Sequence, residues 1–301
     1  MKKWILFLSV WFVASTGAAG LRVVATVPNV GMLAREIGGD AVMVTVLASP
    51  DRDPHYLEAR PSMMAALRRA DLVVAVGAEL EIGWLPAAIQ GANNRRVQLG
   101  QPGHFEAARH VELIESGRPA DRALGDVHPK GNPHVYLDPE RMAVIGHALA
   151  ERLAALYPES AAAFRANADR LATRLTEPLP EWRARTAAAV GVLPYHADAN
   201  YLLKALDVPL LGYIEPLPGI PPTASHLRAL VQELSTKQGM IWVMDFQPLQ
   251  GGQFLARELG WPLVQLPAQV SMDGNADAYM AMIEAWVDAL EQRNDESAAG
   301  R

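Results

Sequence analysis

An α/β protein of two lobes joined by a long helix is the architecture this sequence predicts. Three observations carry it. β-rich runs alternate with short amphipathic stretches over residues 22–76, an Ala-, Leu-, Arg- and Glu-rich stretch fills residues 140–188, and a second alternation follows from residue 190. Alternation of this kind is the mark of parallel βαβ units.

In order, residues 22–27 form a strand, 30–37 a short helix stopped by Gly38-Gly39, 42–47 a second strand, and 62–69 a helix ahead of the strand 72–76. Residues 101–133 carry several Gly, Pro and His and are expected to be an extended loop. Residues 140–156 and 159–188 place apolar side chains at helical spacing, interrupted only by Pro158, Pro178 and Pro180, and supply the linking helix. The second lobe then reads as strands at 190–194, 209–213, 240–244 and 262–266, with helices at 225–234 and 253–259 and a closing helix at 276–292. The resulting division is a leader at 1–20, an N-terminal α/β lobe at 21–138, a helical region at 139–188 and a C-terminal α/β lobe at 189–301. No fixed-period repeat competes with it.

The leader combines Lys2 and Lys3, an apolar run from Trp4 to Val13 and the small residues Ala18-Ala19-Gly20, the layout of a secretory signal peptide. Later apolar stretches fall short of the roughly 18 residues that a membrane helix needs, so the mature chain is expected to be soluble, exported and periplasmic. With no cysteine anywhere, disulfides, thiolate ligands and a lipid-bearing cysteine are excluded, and a free monomer without a membrane anchor is expected. The net charge is −6, and −8 once Lys2 and Lys3 leave with the leader (25 basic against 33 acidic residues). That balance disfavours nucleic acid or anionic membrane as a partner and is compatible with attracting a cation.

Of the eight histidines, three stand in loop settings next to an element end: Asp53-Pro54-His55, Asn132-Pro133-His134 and Tyr195-His196-Ala197. Proline fixes its own φ and stiffens the approach of His55 and of His134, reducing the entropy lost when an imidazole is held by a metal. Ligands of open parallel sheets collect beyond the carboxyl ends of strands, where these positions can converge. Three neutral imidazoles plus one oxygen suit tetrahedral zinc.

The segments Asp53-Pro54-His55-Tyr56-Leu57-Glu58-Ala59-Arg60-Pro61-Ser62, Ala70-Asp71-Leu72-Val73-Val74-Ala75-Val76-Gly77-Ala78-Glu79-Leu80-Glu81 and Gly131-Asn132-Pro133-His134-Val135-Tyr136-Leu137-Asp138-Pro139 resemble the zinc and manganese substrate-binding proteins of bacterial ABC importers, the ZnuA/TroA-like family. The resemblance spans essentially the whole mature chain. It implies two Rossmann-like lobes joined by a long rigid helix with metal in the inter-lobe cleft, an ABC permease as partner, and His55, His134 and His196 as the nitrogen ligands. A histidine at the third position resembles the zinc-type members, so Zn2+ is the expected transported ligand, with Mn2+ or Fe2+ as the alternative.

One departure concerns the fourth ligand. Where the family carries an aspartate after the last strand, this chain reads Leu266-Pro267-Ala268-Gln269. Asp273, if its loop folds back, or Asp245, at a strand end, is expected to replace it, with Glu215 a weaker candidate. His128, six residues before His134, is a possible auxiliary ligand. Glu58, Glu79 and Glu81 are expected acceptors for a ligand imidazole N–H. The alternative from another class is a zinc-dependent hydrolase, since three histidines with an open position also describe catalytic zinc. The chain lacks a His-Glu-x-x-His helix and a serine nucleophile elbow, so no catalysis is expected.

Overall fold

The computed structural model describes residues 20–117 and 128–299; most of the proposed leader lies outside the described residues. The N-terminal lobe runs β1 (Leu21–Ala25), α1 (Pro28–Gly38), β2 (Val42–Val46), α2 (Pro61–Arg69), β3 (Leu72–Ala75), α3 (Leu85–Ala92) and β4 (His104–Glu106). The helical region holds α4 (Pro139–Leu156), α5 (Ala161–Thr176) and α6 (Leu179–Thr186). The C-terminal lobe runs β5 (Gly191–Pro194), α7 (Asn200–Ala205), α8 (Ala224–Leu234), β6 (Gly239–Met244), α9 (Gln250–Leu259), β7 (Leu263–Leu266) and α10 (Ala276–Ala299).

Both sheets are parallel, in the orders β2-β1-β3-β4 and β5-β6-β7. The apolar runs explain which strands lie inside. Every residue of β3 and β6 is buried, whereas β2 at an edge alternates, leaving Met43 exposed. Two local readings are corrected. The expected loop 101–133 contains β4, whose backbone pairs Phe105 with Val74 although its sequence has too few apolar positions to announce a strand. The expected strand at 209–213 is reduced to one bridge, Val192 with Leu210, because Pro209 lacks a donor and Gly212 adopts φ +131°.

The helices start and stop for local reasons. Proline occupies the first turn of α1, α2, α3 and α4, where a missing N–H costs nothing. Asp138 caps α4 by accepting from the N–H groups of Glu140 and Arg141. The helical region is divided at Pro158 and Pro178 into the long α4, then α5 and α6; α4 and α5 fold back on each other, burying Phe164, Ala168, Leu171 and Leu175 of α5. One continuous core passes from β1 and β3 through α1, α4 and α5 to Trp242 of β6 and Trp286 of α10, whose rings lie 4.5 Å apart. A smaller core sits under α8 and α9.

The lobes are also stitched by Asn29 of α1. Its side chain donates to the Ala268 carbonyl (2.9 Å) and accepts from the Val270 N–H (2.9 Å), while its own N–H donates to Gln269 Oε1 (3.0 Å). Asn29 is fully buried, so these bonds fasten the loop after β7 to the N-terminal lobe with little competition from water. Among the described residues no helix is long and apolar enough to cross a membrane.

Candidate metal centre

His55 and His134 are presented by the same small device. In Asp53-Pro54-His55, Asp53 Oδ1 accepts both the backbone N–H (2.9 Å) and the ring Nδ1–H (2.7 Å) of His55. In Asn132-Pro133-His134, Asn132 Oδ1 does the same for His134, at 2.9 and 2.8 Å. A side-chain oxygen two residues upstream thus fixes backbone and imidazole together, and the intervening proline stiffens the turn. Trp84 adds to this by donating its indole N–H to the Pro54 carbonyl at 2.9 Å. His134 then feeds through one helical turn into the capped start of α4.

His196 is placed by β5, which ends two residues before it. Its Nδ1–H donates to Glu215 Oε1, and Glu215 is anchored by the Gly219 N–H at 3.2 Å. All three imidazoles therefore have Nδ1 committed to an oxygen acceptor, leaving Nε2 as the available ligand atom.

The structure brings these three residues together. Their ligand atoms lie within 4.8 Å of one another, with ring centroids 5.1 to 5.5 Å apart. Nε2 of His134 and of His196 is buried with no hydrogen bond, a state that costs about 1–3 kcal/mol per group unless a cation or donor occupies the space between them. Three convergent imidazole nitrogens, two of them buried without a hydrogen-bond partner, fit a divalent transition ion. A cavity of about 260 Å³ reaches the group from the side of Tyr56, Tyr195 and Phe246.

Charge favours a cation. Burial and the neighbouring imidazoles hold His134 well below the usual histidine range, so it is neutral and ready to ligate. Burial works against a charged His196, but Asp198, Glu215 and Asp53 outweigh it and push the group up to about 9. A proton on His196 must leave before Nε2 can bind metal. Apparent metal affinity is therefore expected to rise by about tenfold per pH unit from 6.5 to about 9 and then level off, as competition titrations in matched buffers will show. The sign is that of a base whose raised value keeps the proton in place of the ion at lower pH.

The other expectations are sorted by the same geometry. Asp273 is exposed and accepts from the Ser271 hydroxyl (3.1 Å), in a loop that Asn29 and Arg35 pin to α1 through Val270 and Gly274, so it does not fold back. Asp245 is exposed at the end of β6. Neither belongs to the converging group. Glu215 holds His196 from behind. Glu81 is buried against Thr26 and the N–H groups of Val76 and Gly77, so it cannot take an imidazole proton; Glu79 stands near Lys130. His128 does approach, with its Nε2 3.2 Å from that of His55.

Reading the sequence missed Asp198 and Gln247, and the role of Asp53 and Asn132. The last two had a signal: an Asx residue two places before each Pro-preceded histidine. Asp198 is 2% exposed and its Oδ1 lies 3.4 Å from His134 Nε2, while Oδ2 accepts from Gln247 Nε2 at 2.6 Å.

Comparison with known proteins decides the family. The model of the family "zinc-uptake complex component A, periplasmic" matches residues 23–293. The chain belongs to that family. It is 28% identical over 231 residues to the high-affinity zinc uptake system protein ZnuA of Yersinia pestis, covering 72% of each chain. It is 22% identical over 252 residues to the manganese ABC transporter substrate-binding lipoprotein scaA of Streptococcus gordonii, covering 78% of this chain and 76% of that one. Among solved structures, the SBP FpvC from Pseudomonas aeruginosa in complex with Mn2+ has the same fold, with a TM-score of 0.76 at 24% identity over 92% of this chain and 99% of that one. The protein is thus a member of a family of metal-binding substrate-binding proteins of ABC transporters, a transport component and not an enzyme.

Proposed function

We propose that the protein captures zinc in the periplasm, as a free monomer, and hands it to an ABC permease, with His55, His134 and His196 as the nitrogen ligands. The observation that carries this reading is the convergence of three imidazole nitrogens whose opposite ring nitrogens are all tied to oxygen acceptors. Preset orientation lowers the entropy cost of binding. Three nitrogens favour zinc over manganese, which takes more oxygen and a higher coordination number.

His128 is assigned an auxiliary part at the mouth of the site. Because Asp53 holds the Nδ1–H of His55, the neutral His55 ring offers Nε2 as an acceptor, and His128 Nε2–H is the donor across their 3.2 Å separation. The incoming ion displaces this bond as it reaches His55.

Equilibrium competition between Zn2+ and Mn2+ on the mature protein tests the reading. The expected result is one zinc per chain and retention of zinc against a hundredfold excess of manganese. Preferential retention of manganese would instead place the chain with the manganese relatives.

A further inference from the structure

We propose that Asp198 is the oxygen ligand of this site and that Gln247 is the positioning residue that aims it, an inference that rests on the three-histidine reading above. The starting observation is a mismatch. Asn132 Oδ1 accepts the backbone N–H of His134, which fixes that atom as the oxygen of the amide, since a backbone N–H can only donate. The same oxygen takes the ring Nδ1–H, so Nε2 of the neutral ring carries a lone pair. That lone pair confronts Asp198 Oδ1 at 3.4 Å with no hydrogen bond to His134 Nε2. Two acceptors facing each other in a buried space repel unless a proton or a metal ion stands near both.

Distance and charge agree. Two ligands of a tetrahedral ion bound at about 2.0–2.2 Å lie about 3.3–3.6 Å apart, which brackets the observed separation. Asp198 is 2% exposed, and among the described residues no lysine or arginine pairs with it. Positive charge beside a buried carboxylate stabilises it, and the ionisable neighbours of Asp198 are His196, His55 and Asp53 rather than a lysine or arginine.

Gln247 gives the carboxylate one orientation. Its Oε1 accepts from the Met244 N–H (2.9 Å) and its backbone N–H donates to the Met244 carbonyl (3.0 Å), so its amide is locked at the end of β6. Nε2 then holds Asp198 Oδ2 at 2.6 Å and leaves Oδ1 toward the imidazoles. The ligand set is accordingly three nitrogens from two lobes and one oxygen two residues after His196. It needs no residue from the loop after β7, where Gln269 is spent on the Asn29 N–H.

The test uses the mature protein with Zn2+ for affinity and Co2+ as a spectroscopic probe. Asp198→Asn is expected to lower zinc affinity by more than about a hundredfold and to shift the cobalt d–d bands at unchanged stoichiometry, and Gln247→Met by about tenfold with smaller band changes. Wild-type affinity and bands in Asp198→Asn, alongside loss of binding in His134→Ala, overturn the inference and leave the histidine site standing; wild-type binding in both removes the histidine site itself. If Asp198→Asn does not fold, a zinc-bound structure of the unaltered protein decides: an Asp198 oxygen at about 2.0–2.2 Å from the ion upholds the assignment, and one beyond bonding distance refutes it.

Discussion

Alanine at His134 is expected to abolish tight zinc binding, lowering affinity by well over the roughly hundredfold that loss of an outer-shell partner costs. His134 is the most enclosed of the three histidines, at 0% exposure, and its Nε2 lies between the other imidazoles and Asp198. Water cannot easily fill the vacated position with the same directionality, because Asn132 fixes the ring from behind and nothing replaces that anchor. Thermal unfolding with and without zinc reads the effect. At a free zinc concentration a thousand times Kd, binding stabilises the wild type by about 4 kcal/mol, and that increment disappears in His134→Ala while the metal-free midpoint moves little. An undiminished zinc-induced shift in this variant would sink the ligand assignment.

The second large effect is on stability. Asn29→Leu removes the donor to the Ala268 carbonyl and the acceptor for the Val270 N–H, and leaves both groups buried without their partner. At about 1–3 kcal/mol for each orphaned group, the loss is about 2–6 kcal/mol. For a chain of this size that lowers the melting temperature by roughly 4–24 °C. The consequence reaches the site from below, because the loop after β7 is no longer held against α1. A calorimetric scan that finds the midpoint within 2 °C of wild type, an interval set by the roughly 2–4 °C expected per kcal/mol, would mean that the lobes are held by the shared core alone.

The electrostatic arrangement explains how affinity and release can coexist. Asp53 and Glu215 each accept an imidazole proton and raise the basicity of the ring's other nitrogen, which strengthens metal binding. The same carboxylates raise the proton affinity of His196, so acid competes effectively with the ion. On the proposed ligand set, capture at higher pH and release on acidification follow from one set of groups.

Much of the fold was legible because its signals are local. Short β-rich apolar runs marked the strands β1, β3 and β6, prolines marked helix breaks, and Pro54-His55 and Pro133-His134 marked the ligand loops. Composition and periodicity report on neighbours within a few residues, and these features need nothing more. The strand β4 escaped because its place is secured by backbone pairing with Val73–Ala75 rather than by its own side chains.

The remaining parts of the site were decided by tertiary contact. Glu215 reaches His196 across 19 positions, Gln247 reaches Asp198 across 49, and Asn29 reaches Ala268 across 239. Asp273 and Asp245 had suitable chemistry but not suitable placement, since one is pinned against α1 and the other faces solvent. The sequence by itself determined the parallel α/β lobes, the helical link and three histidines at loop positions, because each depends on residue type and short-range pattern. Only the packed structure decided which oxygens orient those histidines and which carboxylate faces them, because side chains far apart in the chain meet only once the two sheets and α4 set their relative positions.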